Sequence, residues 1–147
     1  MSDKNLLTDL QRRHHDARVW NAKRGFGTFL TFEMGDETEP GKGELHVWVQ
    51  YASWHLKHRG HEILSSRHHA SEYQKALSQL NGKSLEDISA YEDRGPGEIA
   101  LRFSDGYEFR ATADFENYDI EDDLISFFES DGIISFNSAA GIYREPL

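Results

Sequence analysis

Cysteine is absent from this 147-residue chain. That excludes disulfides, thiolate metal sites and a cysteine nucleophile, and it fits a reducing compartment. No apolar run approaches the ~20 residues of a membrane span. The first residues, Met1-Ser2-Asp3-Lys4-Asn5, lack the charged-then-apolar pattern of a secretory signal. A soluble, cytoplasmic protein with no membrane partner is the expectation. No internal repeat or linker divides the chain, so residues 1–147 are expected to form one domain. A domain of this length removes roughly 68–70% of its unfolded-chain surface from water, enough for a core without staples.

Catalytic signatures are missing as well. There is no G-x-S-x-G, no Walker-type glycine loop, no dinucleotide fingerprint and no H-E-x-x-H. Adjacent carboxylates such as Asp122 and Asp123 diverge and do not converge on a substrate as an acid–base pair must. No catalytic residue and no cofactor is assigned, and the chain is read as a non-enzyme.

Positive charge is scarce. Sixteen Lys and Arg stand against 26 Asp and Glu, a net charge of −10. The deficit is uneven: residues 1–75 balance at +1, and residues 76–147 carry −11. All eight histidines fall between His14 and His69. The basic stretch Arg12-Arg13-His14-His15 is offset by Asp9 and Asp16, and the overall field repels phosphate, so no nucleic-acid partner is expected.

The histidines invite a metal reading. His55, His58 and His61 form H-x-x-H-x-x-H, which on a helix could share Zn²⁺. The local pattern is extended and broken by Gly60, and in a strand positions three apart face opposite ways. His68 with Glu72, and His14 with His15, complete no ligand set. No metal site is assigned, although a histidine-based metal-binding protein or metal-dependent enzyme is kept as an alternative. An oligomeric assembly protein packing through the aromatic strand His46–Trp54 is a further one.

What is plentiful is aromatic side chain, 9 Phe, 6 Tyr and 3 Trp, which compensates for a hydrophobic content of 37%. Leu6, Leu7, Leu10, His14, Ala17 and Trp20 recur every three or four residues, predicting a helix over 4–22. Phe26 to Met34 and Glu44 to Tyr51 alternate as strands around a polar turn at 35–43, with Leu45, Val47, Val49 and Tyr51 on one face. Two short strands flank Arg59-Gly60. A helix from about His69 to Leu80 has Tyr73, Ala76, Leu77 and Leu80 as its inner face, and a strand follows over 84–91. Asp105-Gly106 predicts a tight hairpin joining 98–103 to 107–111. Residues 120–136 fit either a helix or a hairpin at Asp131-Gly132. The fold class is α+β: an antiparallel sheet built from hairpins, packed with an N-terminal and a central helix.

The acidic tail supplies the candidate site. Between 114 and 123, carboxylates interleave with Phe115, Tyr118 and Ile120. Aromatic anchors supply buried area at an interface, and charges supply steering and register. Glu116, Tyr118, Asp119, Glu121, Asp122 and Asp123 are therefore the candidate partner-binding residues, facing a basic protein. If they are the docking site, affinity falls little between pH 8 and 6; a steep loss points to the histidine half.

The runs Phe26-Gly-Thr-Phe-Leu-Thr-Phe-Glu-Met-Gly35, Gly43-Glu-Leu-His-Val-Trp-Val-Gln-Tyr-Ala-Ser-Trp-His-Leu56, Leu80-Asn-Gly-Lys-Ser-Leu85 and Leu101-Arg-Phe-Ser-Asp-Gly106 resemble small bacterial immunity proteins encoded beside polymorphic or contact-dependent toxins. The resemblance spans roughly residues 26–110 and is one of architecture. It implies a small acidic cytosolic inhibitor that binds a cognate toxin C-terminal domain, such as a basic nuclease. It carries over no functional residue, because such proteins bind through variable surfaces.

Overall fold

A computed structural model describes residues 2–25, 29–67, 70–93, 97–113 and 118–145. Among these residues two α-helices, α1 (Lys4–Arg13) and α2 (Ala70–Ser78), accompany eleven strands. The strands are β1 (Val19–Arg24), β2 (Leu30–Glu39), β3 (Lys42–Val49), β4 (Ser53–His58), β5 (His61–Ser65), β6 (Leu85–Tyr91), β7 (Glu98–Phe103), β8 (Tyr107–Thr112), β9 (Ile125–Glu129), β10 (Gly132–Asn137) and β11 (Gly141–Glu145). They form two antiparallel sheets, β1-β2-β3-β9-β10-β11 and β5-β4-β8-β7-β6. The α+β class holds, with two sheets where the alternation pattern led us to expect one.

Period-two burial builds both sheets. Leu30, Phe32 and Met34 of β2 and Leu45, Val47 and Val49 of β3 are all buried, as are Leu101, Phe103 and Phe109 on β7 and β8. Phe32 meets Phe103 and Phe109 edge-on, with ring centroids 6.2 and 6.3 Å apart, so the two inner faces share one core. Each helix touches an edge strand of each sheet: α1 lies against β6 and β11, and α2 against β1 and β5. The helices thereby cover edges that would otherwise offer unpaired backbone groups.

Three further expectations need correction. The first helix stops at Arg13, not at 22. Asp16 turns the chain at φ 65°, and Val19 and Trp20 pair with Met34 and Glu33 of β2. The three-and-four spacing of Ala17 and Trp20 continues the helical pattern by coincidence, and the β-branched and aromatic residues favour the strand. The segment 35–43 is not a long turn. β2 and β3 run on as a projecting arm, bent by bulges after Met34 and turned at Pro40-Gly41, where Gly41 has φ 80°. At Gly43 a Cβ would lie 2.7 Å from the Met34 carbonyl oxygen, so only glycine permits that approach. Tyr51 does not share the buried face of β3: the strand ends at Val49, and Tyr51 is 42% exposed.

Residues 120–136 resolve as a turn and then the β9–β10 hairpin, with Ile133 opposite Phe128 and Ile134 opposite Phe127. The Asp105-Gly106 turn appears where expected, with φ 61° and 77°. The inner face of α2 is also as expected, Tyr73, Ala76 and Leu77 being buried with Leu80 just beyond. Among the described residues no helix is long and apolar enough to cross a membrane.

Candidate functional site

The acidic segment divides into inward and outward residues. Glu116 lies outside the described residues. Tyr118 turns inward: its hydroxyl donates to the Asp122 carbonyl (3.1 Å) and accepts the Ser138 N–H (3.0 Å). Asp123 is also structural, accepting from the Tyr143 hydroxyl (2.6 Å) and from Asn137 Nδ2 (3.1 Å). Burial raises the Tyr143 pKa, and the neighbouring Asp123 carboxylate raises it further, so the phenol keeps its proton. Asp119 and Glu121 are exposed and Asp122 is half-buried. The Asp119 carboxylate accepts the Glu121 N–H (3.0 Å), fixing the turn that carries them. Asp119, Glu121 and Asp122 are therefore the members available to a partner. Between them Ile120 stands 58% exposed.

This loop adjoins the solvent side of the first sheet through the Tyr51 N–H, which donates to the Asp123 carbonyl (3.3 Å). A row of aromatic rings begins there. Tyr51 meets Phe29 edge-on (5.5 Å), Phe29 meets Trp48 (6.0 Å), and Trp48 meets Phe128 (6.3 Å). His46 completes it, 5.6 Å from Phe128. All but Tyr51, which is exposed, are half-buried. The topology explains the row: β3 is flanked by β2 and β9, with Trp48 opposite Thr31 and Ser126, and His46 opposite Glu33 and Phe128. Sequence reading missed it. The alternation placing His46 and Trp48 opposite Leu45 and Val47 was visible, but the partner strand β9 lay in the ambiguous segment.

At its His46 end the row opens into a cleft of about 1280 Å³ between the β2–β3 arm, the end of α1 and the β9–β10 turn. Two histidine–carboxylate pairs face it. Glu33 is 3% exposed; its carboxylate hydrogen-bonds His46 Nδ1 and accepts the Gly43 N–H at 3.0 Å. On the opposite wall Glu129 accepts from His14 Nε2 (2.6 Å) and, in a fork, from Arg13 Nε (2.9 Å) and Nη2 (2.7 Å). Burial pushes the Glu129 carboxyl up, but those hydrogen bonds and the Arg13 charge outweigh it and hold the group at about 2. The ionised carboxylate can only accept, so His14 Nε2 carries a proton. His14 Nδ1 is buried and has no hydrogen-bond partner among the described residues.

The solvent side of the second sheet is built differently. Lys57, Glu108, Arg102 and Asp87 stand in register across β4, β8, β7 and β6. Arg102 bonds Asp87 (2.8 Å) and Glu108 (3.1 Å), and Arg110 bonds Glu108 (2.7 Å) and Glu98 (2.8 Å).

The H-x-x-H-x-x-H residues do not converge. His55 bonds Glu62, His58 stacks on Tyr107 at 4.2 Å, and His61 faces His58 across the β4–β5 turn. Among the described residues no three His, Asp or Glu side chains gather as a metal site. His68 and His69 lie outside the described residues.

No protein-family model matches the chain, and neither a similar curated protein nor a similar solved structure was found.

Proposed function

We propose that the chain is a protein-binding module of the immunity type, which inhibits a cognate bacterial toxin domain by covering a basic surface and performs no catalysis of its own. The observation that carries this reading is the aromatic row Tyr51-Phe29-Trp48-Phe128, bracketed by acidic segments. At one end stand Asp119, Glu121 and Asp122. At the other stand the exposed Asp36, Glu37, Glu39 and Glu44 of the β2–β3 arm. Half-buried aromatics at the centre and charges at the rim suit an interface in which rings supply affinity and carboxylates supply steering. The occupant is a cationic protein. A second copy of this chain would press one net charge of −10 against another.

The test is co-expression with the product of the neighbouring upstream gene. The expected result is rescue of growth and a 1:1 complex at micromolar concentration. Neither complex nor rescue sinks the reading. A stable homodimer in solution with the face covered would put the oligomeric alternative in its place.

A further inference from the structure

Given a basic protein docked on this face, we propose that one of its arginine side chains enters the cleft and lays its guanidinium on Trp48 and Phe128. Among the described residues, three rings elsewhere carry a cation of their own. Arg24 lies 4.6 Å over Tyr73, Lys83 lies 5.2 Å over Tyr107 and Arg110 lies 5.7 Å over Tyr91. Among the described residues no cation lies over Trp48 or Phe128, although both rings line the cleft. Their planes are tilted by only 33°, so one flat group can rest against both.

The nearby charges favour a cation. Glu33 is the diagonal neighbour of Trp48 on β2 and is almost wholly buried. Its carboxylate is held by His46 Nδ1 and the Gly43 N–H, facing the cleft that Trp48 lines. Glu44 is exposed on the same side of β3 as His46 and Trp48. Of the cleft's own cations, Arg13 is forked onto Glu129 and Lys42 lies 3.9 Å from Glu39, while Lys23, opposite Thr31 on the neighbouring strand, is exposed at the rim. A guanidinium suits the site better than an ammonium, because it is planar, stacks on aromatic faces and gives up hydration water more readily. The lining as a whole sets five carboxylates, Glu33, Glu39, Glu44, Glu129 and Asp131, against three cations, Arg13, Lys23 and Lys42, so its balance favours a cation over an anion.

The test titrates the full chain with three short blocked peptides identical except for one residue: arginine, lysine or citrulline. The Trp48 indole N–H resonance is followed. The arginine peptide is expected to move it and to bind roughly two- to five-fold more tightly than the lysine peptide, with citrulline inactive. Trp48→Leu, titrated by calorimetry because it lacks the indole, should lose the preference for arginine over lysine that calorimetry shows for the unaltered chain. The exposed Glu44→Gln should weaken both cationic peptides and keep the preference. Equal binding of arginine and lysine, binding of citrulline, no movement of the indole, or movement by inorganic phosphate alone overturns the proposal. Growth rescue by the intact protein without an arginine response leaves the docking reading standing and removes this one. An arginine response without a toxin complex does the reverse.

Discussion

The solvent sides of the two sheets face the same water with opposite chemistry. On the second sheet the charges answer one another: Arg102 and Arg110 are each held by two carboxylates. On the first sheet the exposed centre is aromatic, and its carboxylates collect at the two ends. A self-paired ladder asks nothing of a partner. Rings left half-exposed between largely exposed rim carboxylates suit one, because contact with a cationic protein would remove apolar area from water and balance charge together. The difference shows why net charge alone is a poor guide to an interface. Glu98 and Glu108 contribute to the −11 of the C-terminal half, yet both are spent inside the ladder.

The sharpest way to break the comparison sets one glutamate against another. Glu129→Ala removes the counter-charge of Arg13 and strands the buried His14 ring, so stability should fall by roughly 2–4 kcal/mol in a denaturant titration. The same carboxylate fixes an acid signature. Its folded pKa, about 2, lies below the ordinary 4.5. Its stabilisation is therefore complete above about pH 4.5 and is lost as the pH falls towards 2. Glu129→Gln should flatten that stretch of the stability curve. An unchanged curve would mean that the pair does not hold α1 against the β9–β10 turn.

Binding comes next in size. Trp48→Ala should weaken the complex with the toxin domain by about 2 kcal/mol, roughly 30-fold, as a central aromatic anchor does. Arg102→Ala on the other sheet should change it less than about twofold. Reversal of the two results would move the interface to the ladder. A smaller effect belongs to the loop. Replacing Asp119, Glu121 and Asp122 by their amides should slow association several-fold at low salt, leave dissociation nearly unchanged, and lose its effect at high salt.

The sequence reading reached the architecture further than the site. Alternation over Leu30–Met34 and Leu45–Val49 revealed the buried faces, and Asp105-Gly106 marked its hairpin, because period and turn chemistry are local. The end of α1 was illegible: Ala17 and Trp20 fit the helical spacing, and only pairing with β2 decides between helix and strand. The same limit hid the site. Trp48 and Phe128 are 80 positions apart and meet only because β3 pairs with β9. Tyr118 and Asp123 looked like docking residues by composition, but their partners Ser138 and Tyr143 come from beyond β10. That Asp119, Glu121 and Asp122 reach solvent was legible, because surface charge can be read without tertiary contacts.

The smallest effect tests the ladder itself. Glu108 accepts from both Arg102 and Arg110, and its side chain is 22% exposed. Burial pushes its carboxyl up, but Arg110 and then Arg102 bring it below the ordinary value. Its contribution is thus present above the unfolded pKa and is lost as the pH falls through the folded one, the same sign as for Glu129. The size differs, because water and salt screen a face whose arginines are 39% and 22% exposed. Glu108→Gln should cost about 1 kcal/mol or less at low ionic strength, and still less at high salt. A loss equal to that of Glu129→Ala, or one indifferent to salt, would show the ladder to be as shut off from water as the cleft. The contrast between a solvated face and the proposed docking face would then disappear.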